Sequence, residues 1–308
     1  MAKKAVINSF AKINLYLDVI CKRPDGYHNI ETIFQSVSLG DIVEIELVRS
    51  GTTLICEHPA VPTDESNLAM KAFFKLKEAT GYGGGVRIEI RKSVPPGSGL
   101  GGGSSNAAAV LLALNRLMEG EASPERLRAI ARELGADVLF FLAGGLAAAW
   151  QIGDRILQLP PLPESFTVIA VPRGLAVSTA EIYAMLDAPR CRAGDPKSFD
   201  ECSDGLKACA RALAPPARLP EAALEGSVLH NALEGPVISR HPKIGEAKRL
   251  LLEAGARAAL MSGSGSAVFG LADSEKQANE IKTAIEKSSS CDCFVMRTIA
   301  GAGAAPLT

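Results

Sequence analysis

The stretch of this chain with the most chemical potential is Val94-Pro-Pro-Gly-Ser-Gly-Leu-Gly-Gly-Gly-Ser-Ser-Asn106. Glycine has no Cβ, so its backbone takes positive φ and lets a ligand come close. Consecutive free N–H groups that lead into a helix start make an anion site, which the helix dipole strengthens. Pro96, Gly97, Ser98, Gly99, Leu100, Gly101, Gly102 and Gly103 would form such a loop, and Ser104 and Ser105 add hydroxyls at the helix start. A flexible linker shares this composition. The run is short, however, and lies between a strong strand pattern and a strong helix pattern. It is expected to cradle phosphate.

The spacing narrows which cradle it is. Gly97, Gly99 and Gly102 satisfy GxGxxG, so a dinucleotide fold has to be weighed. The preceding strand opposes it, because Val86, Ile88 and Ile90 alternate with Arg87, Glu89 and Arg91, unlike a buried parallel strand. Pro95-Pro96 also parts strand from glycines where that fold needs a tight turn. Glu119 and Glu121 lie at a suitable separation, but at a helix end rather than after a second strand. No Lys follows Gly103, which excludes a Walker loop.

The elements that position this loop are legible on both sides. Residues 13–19 alternate apolar and polar, predicting a half-buried strand with Lys12 and Asn14 on its polar face. Pro24-Asp25-Gly26 signals a turn, and Val43, Ile45 and Leu47 mark a second alternating strand. Helices are expected over 68–79, over 106–118, and from Pro124 to just before Gly135. Strands over 147–151 and 156–159 close the first half. Asp137 stands two residues past Gly135, where by itself it reads as a cap for a short following helix. Taken alone, Lys12 would be a solvated strand residue, His28 an exposed turn residue and Tyr27 a strand-edge aromatic.

The second half has a different rhythm. A strand over 166–171 and a helix opened by the capping box Ser178-Thr-Ala-Glu181 come first. After an unpatterned stretch over 187–226 come a helix over 243–254, two strands flanking Ser262-Gly-Ser-Gly265, a helix over 275–287 and a strand over 294–299. That order suggests an α+β sandwich of ferredoxin type.

Composition bounds the rest. The chain has 308 residues, with 33 Lys and Arg against 34 Asp and Glu and a net charge of -1. That balance argues against nucleic acid as a partner and gives no support to a membrane surface. The longest apolar run is about eight residues, far short of the ~20 a spanning helix needs. Asn8, Lys12 and Asn14 interrupt any signal-peptide core. The seven cysteines show no CxxC spacing, so reduced thiols in a soluble cytoplasmic protein are expected. His58, His230 and His241 have no metal-ligand spacing.

The run from Pro96 to Ala108 resembles the glycine loop of the GHMP small-molecule kinases. Ala11-Lys-Ile-Asn14, Arg23-Pro-Asp-Gly-Tyr-His28, Gly135-Ala-Asp-Val138 and Met261-Ser-Gly-Ser-Gly265 sharpen the resemblance, in the family's order. It implies an α+β fold: a GHMP-type ATP-binding α/β domain over 1–160, then a ferredoxin-like substrate-side domain over 161–308. It implies transfer of the ATP γ-phosphoryl group to a small alcohol. The Asp-Gly-Tyr-His segment points to the 2-hydroxyl of 4-diphosphocytidyl-2-C-methyl-D-erythritol, a step of non-mevalonate isoprenoid precursor synthesis. Asp137 would be the general base, Lys12 its orienting and charge-stabilising partner, and Asn14 a positioner of the acceptor. Tyr27 and His28 would hold the cytosine, with Tyr183 stacking on the base. Mg²⁺ is expected with ATP, and the Ser105 hydroxyl is a candidate ligand.

Elementary chemistry agrees with those roles. Phosphoryl transfer asks a protein mostly for positioning and charge neutralisation. A nearby carboxylate helps a hydroxyl by taking its proton, and a Lys beside it keeps it ionised. Leu139 departs from the family pattern, where Pro often follows Ala-Asp-Val, and this puts the local path beside the base in question. The competing readings are a kinase for another alcohol such as mevalonate or homoserine, a catalytically silent nucleotide binder, and a GxGxxG oxidoreductase.

Overall fold

A computed structural model describes residues 3–186, 188–189, 191, 196–214, 217–224, 228–301 and 304–306. The first half contains β1 (Lys4–Lys22), β2 (His28–Val48), β3 (Thr52–Ile55), α1 (Leu68–Thr80), β4 (Gly85–Arg91), α2 (Gly102–Leu117), α3 (Pro124–Leu134), α4 (Ala136–Phe141), β5 (Leu146–Gln151) and β6 (Arg155–Gln158). The second half contains β7 (Phe166–Pro172), α5 (Thr179–Met185), α6 (Asp204–Ala212), α7 (Leu219–Leu224), β8 (His230–Asn231), α8 (Glu234–Arg240), α9 (Pro242–Glu253), β9 (Ala259–Met261), β10 (Val268–Ala272), α10 (Glu275–Ser288), β11 (Cys291–Arg297) and β12 (Ala304–Pro306).

Local signals set most boundaries. Asn67 caps α1 by accepting the Ala69 N–H, and Gly81 ends it at a φ of 69°. Ser123 caps α3, with Pro124 in its first turn, and Ser178 caps α5. The helix that follows the glycine run starts earlier than its apolar pattern suggests, at Gly102 within the run itself.

The strands form two sheets. The first has the order β12-β1-β2-β4-β3, with β5 and β6 continuing from β2 and β8 lying beside β1. The second has the order β11-β7-β10-β9, all antiparallel. Counted among its own four strands that order is fourth, first, third, second, the ferredoxin-like arrangement expected from the sequence. Two late segments return to the first sheet, β8 beside Tyr16 and Leu17, and β12 beside Ile7 to Ser9. With those two strands crossing it, we propose residue 160 as the domain boundary.

Three apolar clusters stack the layers. The first packs α1 to α4 on one face of the first sheet, through Phe73, Leu111, Phe140, Val43 and Ile88. The second fills the space between the sheets, where Ile13, Leu15 and Ile33 meet Ile169 and Phe269. The third lies under α9 and α10, where Val168 and Ala170 meet Leu251 and Ile281. The period-2 alternation of β7 divides its side chains between the two inner layers.

This layering corrects the expectation of a wet face on β1. Residues 11–17 are all buried, Lys12 and Asn14 included, because helices and loops cover one face and the second sheet covers the other. Among the described residues no helix is long and apolar enough to cross a membrane.

Candidate active site

The face of β1 that carries Lys12 and Asn14 opens into a cavity of about 790 Å³. The same cavity is lined by the glycine loop, Asp137, Tyr27, His28 and Tyr183, and by Gly263 and Ser264 of the second glycine motif. Gly97, Gly99 and Gly101 take φ values of 67°, 79° and 74°, the left-handed region that glycine tolerates. Gly99 has a further reason to be glycine. A Cβ there would lie 2.3 Å from the Ser262 carbonyl oxygen, so the two glycine motifs touch backbone to backbone. The Ala267 N–H donates to the Ser98 carbonyl at 2.9 Å and stitches the same seam.

Lys12 is the centre of the polar network. Its Nζ donates to Asn14 Oδ1 at 2.6 Å and to the Gly99 carbonyl at 2.8 Å, and lies 3.9 Å from Asp137 Oδ2. The Asn14 Nδ2 donates in turn to Thr32 Oγ1 at 2.9 Å, which fixes the amide's orientation. Burial pulls the Lys12 pKa below its ordinary value, and the Asp137 charge partly opposes that pull. Asp137 sits in the first turn of α4 and stays partly open to the cavity.

His28 is 7% exposed, and its Nε2 is buried without a hydrogen-bond partner among the described residues. The Tyr183 ring packs against it, with centroids 5.2 Å apart and planes tilted by 39°. Burial, reinforced by the Lys22 charge, lowers the His28 pKa, so the ring is neutral near pH 7. Tyr27, on the turn before it, is 65% exposed at the cavity edge. The cavity wall here is therefore a neutral imidazole packed on one phenol ring, with the Tyr27 ring exposed at the edge beside it.

The GHMP kinase N-terminal domain model matches residues 67–145, and the GHMP kinase C-terminal model matches residues 210–290. A 4-diphosphocytidyl-2-C-methyl-D-erythritol kinase of Geobacter sp. strain M21 is 39% identical over 303 residues, covering 96% of this chain and all of that one. A crystal structure of 4-(cytidine 5'-diphospho)-2C-methyl-D-erythritol kinase is similar with a TM-score of 0.76 and 36% identity, covering 95% of this chain and 98% of the other. The chain belongs to the GHMP kinases. A homoserine kinase from Cytophaga hutchinsonii shares the fold at a TM-score of 0.71 and 21% identity, over 100% of this chain and 98% of its own.

This is therefore an ATP-dependent small-molecule kinase. Its cavity gathers Lys12, Asn14, Asp137, Tyr27, His28 and Tyr183, together with Pro96, Gly97, Ser98, Gly99, Gly101, Gly102, Gly103 and Ser104 of the loop. Two loop residues fall outside it. The Leu100 side chain is fully buried in the core between the sheets, and its carbonyl accepts the Lys12 N–H at 3.0 Å. Ser105 is also fully buried. Its Oγ donates to the Phe10 carbonyl at 2.7 Å and accepts from Ser9 Oγ at 2.8 Å, so it does not fit the metal-ligand role. Leu139 lies within an intact α4 and packs in the first core, so the path beside Asp137 is regular.

Sequence reasoning missed the supports of this kinase's site. Asp41, fully buried, accepts the Ser93 and Val94 N–H groups at 2.8 and 2.9 Å and the Asn106 amide at 2.9 Å, and pairs with Lys92. This network fixes the entry to the glycine loop and the first turns of α2 together. The Thr179 and Ser264 hydroxyls meet at 2.7 Å and join α5 to the second glycine motif. These partners are far apart in sequence, and no local spacing pairs them.

The cysteine expectation also needs correction. Cys21 and Cys191 form a disulfide across 170 residues of sequence, while Cys56, Cys202, Cys209, Cys291 and Cys293 are free. The cause is local backbone pairing. The Lys22 N–H donates to the Pro189 carbonyl at 2.8 Å, and the Cys191 N–H donates to the Lys22 carbonyl at 3.1 Å. That pairing brings the two sulfurs together at the end of β1, beside the turn that carries Tyr27 and His28.

Proposed function

We propose that this kinase phosphorylates the 2-hydroxyl of 4-diphosphocytidyl-2-C-methyl-D-erythritol, giving the 2-phosphate and ADP. The observation that carries the reading is the joining, in one cavity, of a glycine loop, the Lys12–Asp137 pair and the His28–Tyr183 wall. The near full-length likeness to kinases named for that acceptor supports it.

The roles follow from charge and geometry. Backbone N–H groups of the loop and the α2 start hold the ATP phosphates. The acceptor hydroxyl gives its proton to the Asp137 carboxylate as its oxygen bonds to the γ-phosphorus, and the bond from that phosphorus to the ADP oxygen breaks. Lys12 faces the charge that builds on the transferring group from a site largely closed to water, where a cation counts for more. Asn14 acts first on Lys12, by holding its ammonium in place. His28 and Tyr183 receive the cytosine, and Tyr27 closes over its edge.

Among the described residues no group of three or more His, Cys, Asp and Glu side chains could hold a metal. The cavity does offer the Ser104 hydroxyl at the start of α2, an oxygen donor that suits Mg²⁺ carried mainly by ATP oxygens and water. When bound there, Mg²⁺ would neutralise charge on the phosphates.

The test is to incubate the protein with Mg-ATP and each of three acceptors, the cytidyl compound, homoserine and mevalonate, and to weigh the products. One added phosphoryl group on the cytidyl compound alone is the expected result. Phosphorylation of another acceptor instead would move the substrate assignment, and ATP binding without any product would favour a silent relative.

A further inference from the structure

The second glycine motif is held by a side chain that lies outside both motifs. Asn231, on β8, is 7% exposed. Its Nδ2 donates to the Met261 and Gly263 carbonyls, both at 2.8 Å, and its Oδ1 accepts the Leu233 N–H at 2.9 Å. Both amide protons and the amide oxygen are thereby used. Few side chains can replace it: Asp of the same shape offers oxygen where two donors are needed, and Leu offers neither donor nor acceptor.

What Asn231 holds lies against the chemistry. A Cβ built on Gly263 would sit 3.2 Å from the Gly99 carbonyl oxygen, 3.3 Å from Lys12 Nζ and 3.4 Å from Asn14 Oδ1. Asn231 is also registered to the strand that bears Lys12, since it pairs with Leu17 and the Ala232 N–H donates to the Leu17 carbonyl at 2.9 Å. Glu234 completes the clamp by accepting the Met261 N–H at 2.8 Å. The Asn231 amide thereby ties strand β1 to the second glycine motif, with Glu234 holding the Met261 N–H beside it.

We propose that Asn231 is a positioning residue for phosphoryl transfer, setting the separation between the Gly263 loop and the Lys12–Asn14–Gly99 cluster. The proposal rests on the kinase reading above. Loss of the two donors frees the Gly263 carbonyl, which lets the backbone around Lys12 Nζ shift away from the arrangement that faces the transferring group. Groups that only bind substrate, such as His28, stay where they are.

The experiment compares Asn231→Leu and Asn231→Asp with wild type, measuring kcat, both KM values and Tm. For Asn231→Leu the expected result is a kcat lower by roughly ten- to a hundredfold, with both KM values within about threefold of wild type. For Asn231→Asp, kcat is expected to be low at pH 8 and to recover in part toward pH 6, where a protonated carboxyl donates to one of the two carbonyls. Wild type shows no such recovery over the same range. Unchanged kcat with a lower Tm, a rise in KM alone, or failure of both variants to fold would each overturn the proposal in favour of a structural role. The wild-type rate in the same assay reports separately on the kinase reading.

Discussion

The Lys12 ammonium lies 3.9 Å from the Asp137 carboxylate, yet the two differ in their access to water, with 5% of the Lys12 side chain exposed against 37% of that of Asp137. Desolvation is the larger influence on Lys12, so its folded pKa lies below its unfolded one. The unfolded chain then binds more protons between those two values, and this group's cost to stability is fully present below the folded pKa. It fades as pH rises toward the ordinary Lys value. Lys12→Met is therefore expected to match or exceed the wild-type Tm at pH 7, with a difference that shrinks toward pH 10. Turnover should fall by roughly 10²–10³-fold. Thermal melts at the two pH values check the sign, and a clearly lower Tm for the variant at pH 7 would refute it.

Activity should lose its alkaline limb early. In its proposed role Lys12 acts only while protonated, and its lowered pKa brings deprotonation below the usual Lys range. A plot of kcat/KM against pH is expected to fall as pH rises through that lowered value. In Asp137→Asn the attraction that holds the proton is gone, so the residual activity, lower by about 10²–10⁴-fold, should decline at a still lower pH. A plateau extending past pH 10.5 in wild type would show that Lys12 keeps its charge.

On the proposed roles, His28 is expected to affect acceptor binding rather than chemistry. Its buried Nε2 has no hydrogen-bond partner among the described residues, and its lowered pKa keeps the ring neutral at pH 7. His28→Ala is expected to raise KM for the cytidyl acceptor about tenfold or more, leaving KM for ATP and kcat within a few-fold. In wild type that acceptor KM should stay level from pH 8 to 6.5 and change only at lower pH, as the imidazole gains its proton. Initial-rate measurements in both substrates decide it. An equal loss in kcat would place His28 in the transition state instead.

Gly99 is where the two motifs meet. Alanine there must adopt a φ of 79° and bring its Cβ to 2.3 Å from the Ser262 carbonyl oxygen, which is backbone and has little room to yield. Gly99→Ala is expected to lower Tm by several degrees and to remove most turnover. Gly97→Ala, with nothing within 4 Å of its Cβ, carries only the φ cost and should do less on both counts. Comparing the two variants by melting and by rate isolates the contact from the backbone effect.

The parts of this molecule legible in its sequence are those encoded over a few residues. The alternation of Val86 to Ile90, the Ser123-Pro124 helix start and the glycine run each announce their own element. The ferredoxin-like order followed from the sequence of elements, and Lys12 and Asp137 were placed in one site through family motifs. What stayed hidden depends on distant partners. Ser105 looks like an exposed hydroxyl until Ser9 and Phe10 are seen to claim it. Lys12 looks solvated until the cavity and Asn14 enclose it. Asn231 and Asp41 carry no motif at all, because their meaning lies in the backbone groups they satisfy.

The disulfide supplies a last expectation. Cys21 and Cys191 tie the end of β1 to the segment that runs beside Lys22, next to the turn bearing His28. Closing so long a loop restricts the unfolded chain, so reduction should lower Tm. It should also loosen the turn, raising KM for the cytidyl acceptor a few-fold while KM for ATP holds. Thiol titration of the unfolded protein is expected to count the five free cysteines before reduction and all seven after it. Cys21→Ser should show the reduced-state KM from the start and no longer respond to reductant. If wild type shows seven thiols without reductant, or if its KM and Tm ignore reductant altogether, the bond does not brace the acceptor side of the cavity.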